Sequence, residues 1–295
     1  MSKKKGATSQ RTILVAGATG KQGGAALRHL RERGFPVRAM TRNPDRPEAR
    51  KLGGPGVEFV RADMLDPASL LRALEGGPYG VFGVQSRSEA GVEGEITAGK
   101  NLVNAARSSG VSQFVYTSVG SADQNTGIPH FDSKFQIEEH LRGSGLPHTI
   151  LRPVFFMENL LGMTDSLRQG TLATPLSPDR KLQMIAVDDI GAFATMAFEH
   201  PNKWLGRELD IAGAEISMTD LAALLSRAFG REVSYRQIPW NDFEQAAGRD
   251  YTLMFRWFED VGYHADISAL RAEYSKLTPI ERWVQQQDWG LAKGA

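Results

Sequence analysis

The chain has 295 residues, 41% of them hydrophobic, which is enough to bury the core of one large domain or of a domain with a smaller appendage. Basic residues number 35 and acidic residues 34, and this balance argues against direct nucleic-acid binding in the absence of a local basic patch. The absence of cysteine excludes a disulfide framework, a thiolate metal site and a cysteine nucleophile, so any redox chemistry must use a bound cofactor, and we expect no metal site.

The first residues carry three lysines at positions 3–5 with no apolar stretch after them. This pattern predicts a disordered, solvated tail over residues 1–10 and not a signal peptide. No apolar run approaches the ~18 residues that a membrane span needs. We therefore expect a cytoplasmic protein that does not enter a membrane.

From residue 12 to about residue 154, short β-branched segments alternate with longer segments of helical spacing. The predicted strands are residues 12–18, 36–42, 57–63, 80–85, 113–119 and 148–154. The predicted helices are residues 23–33, 67–74, 93–109 and 133–142, of which the second begins at the capping residue Asp66. Because every parallel crossover needs a returning helix, this alternation predicts a Rossmann-type, doubly wound parallel sheet of the α/β class.

Beyond residue 159 the regular alternation fades. Strand-like segments lie at residues 181–187, 208–213 and 232–238, and helical segments lie at residues 189–199 and 218–229. We therefore predict a first domain over residues 11–158 and a smaller C-terminal α/β subdomain over residues 159–295, with exchange of segments between them left open. The smaller one is expected to cover the cleft at the carboxyl ends of the strands. Its many aromatic residues between positions 240 and 263 indicate a core more than a ligand site.

A glycine motif, G-x-x-G-x-x-G, joins the first strand to the first helix at Gly17, Gly20 and Gly23. Glycines at these positions permit a tight turn and let the backbone approach a pyrophosphate, which the unpaired N–H groups of the helix N-terminus attract. Such a motif is weak evidence alone. Its place between a strand and a helix, followed by further strand and helix units, predicts a dinucleotide site and not a plain turn.

The end of the second strand indicates which nicotinamide nucleotide is bound. An acidic residue there suits the ribose hydroxyls of NAD, whereas arginine suits the 2′-phosphate of NADP. Here Arg42 lies 25 residues after Gly17, with Arg46 close behind, so NADP(H) is favoured. The alternative is that both are ordinary loop cations. Asp63, at the end of the third strand, either accepts from the adenine amino group or caps the next turn, and Met64 beside it is a further cofactor-binding candidate.

Six segments together resemble the NmrA-like family of atypical short-chain dehydrogenases/reductases, and the resemblance is closest to the NADPH-sensing NmrA-like members. The segments are TILVAGATGKQGG, MTRNPDR, GVFGVQ, FVYTSVGSAD, HFDSKFQIEEHL and ILRPVFFMENLL. The resemblance runs from about residue 12 to residue 159 and continues more weakly to the end of the sequence. The family also includes a repressor that binds a transcription factor and NADPH-dependent quinone reductases. The resemblance therefore implies an NADP-binding fold more firmly than it implies a reaction.

The resemblance also implies a catalytic set, from which this sequence departs at one position. In ordinary short-chain reductases, a tyrosine four residues before a lysine gives its proton to the substrate, the lysine holds the nicotinamide ribose, and a serine orients the substrate. Here Lys134 is present, but His130 replaces the tyrosine, and Phe131 cannot donate a proton. Ser118 lies near the serine position, although a shift of one residue would put Val119 there. Histidine can act as an acid near neutral pH, and the alternative is that His130 is a polar loop residue ahead of a helix.

Further family positions carry implied cofactor contacts. They are Thr19, Lys21 and Gln22 in the phosphate loop, Gln85 near the nicotinamide ribose, Thr97 on the next helix, and Phe156, Met157, Glu158 and Asn159 in a loop that covers the nicotinamide. The neighbouring carboxylates Asp188 and Asp189 suggest acid/base work, but capping of the helix that starts there is favoured because nothing basic flanks them.

A complete cofactor site beside an incomplete catalytic set favours a regulator that senses NADP(H), with a regulatory protein partner and with residues 156–161 and 87–94 as the segments that respond. The alternative is an NADPH-dependent reductase of a small quinone or enone, since electron delocalisation over such a substrate makes a missing tyrosine tolerable. An epimerase or lyase of nucleotide sugars is less favoured, because such enzymes rely on the Tyr/Lys pair. The sequence leaves monomer and homodimer open.

Overall fold

The computed structural model describes residues 11–85 and 91–290. The strands are β1 Ile13–Val15, β2 Val37–Thr41, β3 Val57–Arg61, β4 Gly80–Gly83, β5 Gln113–Thr117, β6 His148–Pro153, β7 Phe155–Phe156, β8 Thr171–Thr174, β9 Lys181–Ile185, β10 Glu208–Ile211, β11 Ala214–Ser217 and β12 Ser234–Gln237. The α-helices are α1 Lys21–Glu32, α2 Pro47–Leu52, α3 Pro67–Ala73, α4 Gly91–Ser108, α5 Pro129–Ser144, α6 Thr164–Arg168, α7 Val187–Glu199, α8 Pro201–Trp204, α9 Met218–Phe229, α10 Trp240–Ala247, α11 Arg249–Asp260, α12 Ile267–Glu273 and α13 Ile280–Gln286. None of the helices described is both long and apolar enough to cross a lipid bilayer.

The largest sheet has seven strands in the order β10-β6-β5-β4-β1-β2-β3. The strands from β1 to β6 pair in parallel. At the edge, the Ile150 N–H donates to the Arg207 carbonyl and the Val154 N–H donates to the Ile211 carbonyl, so β10 runs in the same direction as β6. The predicted doubly wound α/β fold is confirmed.

Strand β10, at the edge of this sheet, is the one strand of the sheet that the sequence analysis grouped with the C-terminal region. The sequence groups residues 208–213 with the C-terminal region, but they complete the main sheet. By their contacts, the described residues divide into one unit of residues 11–125, 129–152 and 187–209 and another of residues 126–128, 153–186 and 210–290. A strand motif reports local conformation and not the sheet that it joins, so the sequence pattern alone does not assign β10 to this sheet.

The first unit has its core on the central strands. Strands β1, β4 and β5 are buried along their whole length, as parallel strands covered on both faces must be. Helix α1 packs closely on α7, because a Cβ atom at Gly191 would lie 2.6 Å from the carbonyl carbon of Ala25, so glycine is needed at this crossing.

Several helix boundaries differ from the sequence prediction. Helix α1 begins at Lys21 and α5 begins at Pro129, two and four residues earlier than predicted. The short helix α2, with proline in its first turn, was not predicted. Asp66 caps α3 as predicted, since its side chain accepts from the N–H groups of Ala68 and Ser69.

The second unit contains two small sheets, β11-β9-β7 and β12-β8. In the first, β11 is antiparallel and β7 parallel to β9, and the β12–β8 pair is parallel. Aromatic rings pack edge to face around Phe255 and Phe258, which are 5% and 1% exposed, with Phe155 and Phe243 against them. The aromatic residues therefore form a core, as the sequence indicates.

Candidate functional site

The glycine motif forms a closed turn between β1 and α1. Gly17 has a φ of +60°, a conformation that side-chain-bearing residues rarely adopt. The Gly20 N–H donates to the Gly17 carbonyl at 2.8 Å. A Cβ atom at Gly23 would lie 2.2 Å from that same carbonyl oxygen, so no larger residue fits there without moving the backbone. Gly17 and Gly23 therefore each meet a geometric need of the turn.

The N-terminus of α1 follows this turn without a side-chain cap or an acidic residue in its first turn. The first N–H groups of a helix have no intrahelical acceptor, and the helix dipole adds partial positive charge there. Thr19 and Lys21 are exposed beside these groups, and the Gln22 side-chain oxygen is buried with no hydrogen-bond partner in residues 11–85 and 91–290. This combination suits an anion such as a pyrophosphate.

Basic side chains gather at the carboxyl ends of β2 and β3. Arg42 is exposed directly after β2, and Arg46 is exposed at the start of α2. Arg61, the last residue of β3, is the register partner of Thr41 and adds a cation that sequence reasoning missed. The Asp45 carboxylate lies 3.7 Å from the Arg61 guanidinium, an exposed pair that contributes little to stability.

Asp63 and Met64 follow β3, next to Gln85 at the end of β4. The Asp63 carboxylate accepts from the Leu65 N–H at 2.9 Å, so the predicted turn cap is confirmed, while its contact with adenine stays a prediction. The Gln85 amide nitrogen lies 3.8 Å from the Met64 sulfur, and the Gln85 side-chain oxygen is buried without a hydrogen-bond partner in the described residues. The fold thus brings together predicted residues that follow β3 and β4, two strands that are not neighbours in the sheet.

The predicted ribose-binding lysine is joined to a buried carboxylate. Lys134 Nζ on α5 donates to Glu95 Oε1 on α4 at 2.7 Å and to the Gln85 carbonyl at 3.4 Å. Glu95 is 2% exposed, and its other oxygen accepts from the Ser133 hydroxyl at 2.6 Å. The sequence analysis missed Glu95, because a glutamate within an amphipathic helix is expected to face solvent. Thr97, the predicted contact on the same helix, is exposed.

His130 lies on α5 and not in a loop, so the alternative of a loop residue ahead of the helix is wrong. The helix starts at Pro129, and His130 precedes Lys134 by four residues, which puts the two side chains on the same helical face. The imidazole is partly buried and meets the Phe131 ring edge-on, with 4.9 Å between ring centroids. A possible acid therefore lies one turn from the lysine, as the tyrosine does in ordinary reductases.

Ser118 directly follows β5 and is 3% exposed. Its N–H donates to the Leu151 carbonyl, and its hydroxyl has no hydrogen-bond partner within the described part of the chain. Val119, the alternative position, carries no polar side chain. Ser118 is thus the hydroxyl that this strand end supplies.

Tyr116, on β5, does not replace the missing tyrosine. Its side chain is completely buried, and burial raises the pKa of its hydroxyl well above the usual value, with the charges of Glu95 and Glu138 adding to the effect. A phenol that holds its proton so firmly is a poor general acid.

The segment predicted to cover the nicotinamide belongs to the second unit. Phe156 ends β7, and the 3-10 helix Met157–Met163 follows it. The Trp283 indole donates to the Glu158 carboxylate at 3.1 Å, while Asn159 is exposed. The cofactor contacts of these residues stay predictions. Of the segment 87–94, residues 87–90 lie outside the described residues.

The expectation that nothing basic lies beside the two aspartates at the start of α7 is wrong for Asp188. Helix α7 begins at Val187, two residues earlier than predicted, and Asp188 contacts His29 at 2.9 Å and Arg28 at 3.0 Å, both on α1. The hydrogen bond with His29, followed by the His29 and Arg28 charges, lowers the pKa of Asp188 to about 2 although partial burial opposes the shift. Asp188 thus joins two helices and is not half of an acid/base pair. The described residues contain no cluster of three potential metal ligands.

Comparison with known proteins yields consistent matches along the chain. The model of the NmrA-like family matches residues 9–287. An NAD(P)H azoreductase of Xenophilus azovorans is 33% identical over 244 residues, which cover 79% of each protein. A nitrogen metabolite repression protein of Emericella nidulans is 29% identical over 248 residues, covering 79% of this chain and 70% of that protein. The solved NADPH complex of an NADPH-dependent quinone oxidoreductase from Escherichia coli is 27% identical, covering 92% of this chain and 98% of that one, with a TM-score of 0.77.

Proposed function

Since this chain belongs to the NmrA-like family, we propose that it binds NADP(H) and reduces a conjugated electron acceptor, such as a quinone or an enone. The observation that carries the reductase proposal is the position of His130, one helical turn before Lys134 on the same face of α5. If a residue without an ionisable side chain stood at position 130, this position could not donate a proton to the substrate. Two relatives named for reduction of azo compounds and quinones support the choice of acceptor class.

The residues described fit the proposed cofactor. The glycine turn keeps Cβ atoms away from the Gly17 carbonyl, and no side chain caps the N–H groups at the α1 N-terminus, which suits the pyrophosphate. The arginines after β2 and β3 suit the 2′-phosphate, because a guanidinium binds phosphate oxygens in pairs. The buried and unpartnered oxygen atoms of Gln85 and Ser118, in the part of the chain described, are available to hydroxyl and amide groups.

Reduction of a quinone to a hydroquinone takes up one hydride and one proton. NADPH, when bound, supplies the hydride. Lys134 holds ribose hydroxyls through its ammonium group, and His130 in its protonated form donates the proton to the reduced oxygen. The Ser118 hydroxyl donates a hydrogen bond to the acceptor and orients it.

A second candidate function is regulation by NADP(H) through a protein partner. Its support is the pairing of Lys134 with Glu95, which compensates the charge that ordinary reductases use to activate their tyrosine. The nitrogen metabolite repression relative is consistent with it. In this case the protein would bind its partner with different affinity in the two states of the cofactor. A 10-fold difference in that affinity needs a free-energy difference of only about 1.4 kcal/mol.

A screen of NADPH oxidation over quinones, enones and azo dyes tests the proposal. We expect acceptor-dependent consumption of NADPH, with kcat lowered about 10²-fold in His130→Gln, the lower end of what a general acid contributes. The exposed His264→Gln serves as the matched control and should keep the wild-type rate. Tight NADPH binding without turnover of any acceptor would contradict the reductase and leave the regulator. Partner capture and oligomer size would then be compared with and without NADPH.

A further inference from the structure

We propose that Glu95 is a positioning residue that holds the Lys134 ammonium for the nicotinamide ribose, so that the ribose is recognised by a Glu95–Lys134 pair and not by a lysine alone. This inference deepens the proposed NADP(H) binding and rests on it. Its basis is a 2.7 Å contact between two charged groups on different helices, of which the carboxylate is almost completely buried.

The buried carboxylate is fully engaged by the residues around it. Lys134 Nζ donates to one oxygen at 2.7 Å, and the Ser133 hydroxyl donates to the other at 2.6 Å. A carboxylate removed from water is costly unless it is paired and hydrogen-bonded. Both donors are adjacent residues of α5, so Glu95 ties the first half of this helix to α4. The position of the carboxylate is therefore determined by the packing of two helices.

The same contacts restrict the lysine. An ammonium group has three N–H donors. One N–H group donates to the Glu95 carboxylate and a second donates to the Gln85 carbonyl at 3.4 Å, which leaves the third N–H group for a ligand. The Lys134 side chain is only 14% exposed, so its flexible methylenes are already ordered. Because the lysine ammonium group is ordered before the ligand binds, binding does not have to offset the entropy lost in ordering it.

The pairing also selects the kind of group that Lys134 binds. An isolated ammonium favours phosphate, whereas an ammonium compensated by a carboxylate is mainly a hydrogen-bond donor. Neutral hydroxyls of the ribose are suited to such a donor, and the pyrophosphate is left to the α1 N-terminus. Loss of Glu95 should therefore weaken ligands that contain the nicotinamide ribose and spare those that lack it.

Titration calorimetry of the full chain with NADPH and with adenosine 2′,5′-bisphosphate tests this inference. The second ligand carries the adenine and the 2′-phosphate but no nicotinamide ribose. We expect Glu95→Gln to weaken NADPH about 10-fold, as loss of a hydrogen bond to a charged group does, and to change bisphosphate affinity less than about 2-fold. Glu139→Gln, the same change at an exposed residue of α5, should leave both affinities unchanged.

A double-mutant cycle separates positioning from a general effect on the fold. Glu95→Gln should add little to the loss of NADPH affinity in Lys134→Met, because the carboxylate acts through the lysine. If Glu95→Gln fails to fold, Ser133→Ala, which removes only the hydroxyl on the other carboxylate oxygen, should still weaken NADPH more than the bisphosphate. Equal weakening of both ligands, additive losses in the cycle, or unchanged NADPH affinity would each overturn the role of Glu95. Wild-type protein that binds neither ligand would instead overturn the proposed function.

Discussion

His29 on α1 and Asp188 on α7 meet with 2.9 Å between Nε2 and Oδ2, and Arg28 contacts the other carboxylate oxygen at 3.0 Å. This contact joins the helix that follows the glycine turn to a helix more than 150 residues later in the chain. It lies beside the close crossing at Gly191 and Ala25. The long-range ion pair thus supports the helix whose N-terminus is proposed to bind the pyrophosphate.

The pair gives a prediction on stability at low pH. The folded-state pKa of Asp188 is lowered to about 2 by the His29 hydrogen bond and then by the charges of His29 and Arg28, below the usual value of ~3.9 in an unfolded chain. The stabilisation is therefore present above pH ~4 and is lost as the pH falls towards 2. Because the Asp188 and Arg28 side chains are exposed, we expect Asp188→Asn to cost no more than about 1 kcal/mol at pH 5.

Urea unfolding of wild type and Asp188→Asn at pH 5 and at pH 2.5 measures this effect. The difference between the two proteins should shrink at the lower pH. Asp165→Asn, at a carboxylate that is 95% exposed and 3.8 Å from Arg168, is the control and should have no effect at either pH. A difference that grows as the pH falls would contradict the assignment.

The glycine turn gives a second prediction. Gly23→Ala puts a methyl group 2.2 Å from the Gly17 carbonyl oxygen, so the backbone of the turn must move. We expect a loss of about 1–3 kcal/mol in the free energy of unfolding and a loss of NADPH affinity of at least about 10-fold. Thermal unfolding and calorimetry provide the two measurements.

The adjacent Gly24→Ala is a matched control in the same helix. Its methyl group would lie 3.4 Å from the Ala18 carbonyl oxygen, an ordinary van der Waals contact, so the turn can keep its shape. Both variants should gain the helix propensity of alanine. Equal NADPH affinity in the two variants would show that the turn is not where the nucleotide binds.

A buried charge network gives a third prediction. Glu138 on α5 is completely buried, and it accepts from Arg152 Nε at 2.9 Å, from Arg152 Nη2 at 2.7 Å and from Arg142 Nη2 at 2.7 Å. Glu138→Gln leaves the Arg152 guanidinium, which is 5% exposed, short of one charge partner. We expect a loss of about 3–5 kcal/mol in the free energy of unfolding.

Denaturant unfolding of Glu138→Gln against Glu139→Gln measures that loss. Glu139 is the next residue and is exposed, so its substitution should stay within about 0.5 kcal/mol of wild type. A small effect in both proteins would mean that Asp123 and Glu208, which also accept from Arg152, suffice to compensate it.

The parts of this protein that follow from the sequence are those fixed by local patterns. Alternation of β-branched and helical segments predicts the parallel sheet, and the spacing of Gly17, Gly20 and Gly23 predicts the turn on α1. The start of α5 at Pro129 escaped this reasoning, because proline in the first turn of a helix reads as a loop signal when no strong cap precedes it.

The remaining parts depend on contacts between distant residues. Strand β10 pairs with β6 more than 50 residues earlier, and nothing in residues 208–213 says which sheet it joins. Glu95 and Glu138 read as solvent-facing glutamates of amphipathic helices, yet both are buried because lysine and arginine partners reach them from other positions. Buried ion pairs of this kind can be identified only from the three-dimensional structure.

Arg42 gives a prediction on cofactor choice. Arg42→Gln removes a cation at the end of β2, where the 2′-phosphate is proposed to lie, and we expect NADPH affinity to fall about 10-fold or more while NADH affinity stays within about 2-fold. Arg72→Gln, at an exposed arginine of α3 next to Asp66, is the control and should change neither affinity. A parallel fall for both nucleotides would contradict a role in reading the 2′-phosphate.

Calorimetric titration of the wild-type chain with NADPH and NADH is the most direct measurement of the proposed cofactor site. We expect a single NADPH to bind per chain, with NADH at least about 10-fold weaker, since only NADPH carries the phosphate that the arginines after β2 and β3 can pair with. Binding of neither nucleotide, or tighter binding of NADH, would contradict it.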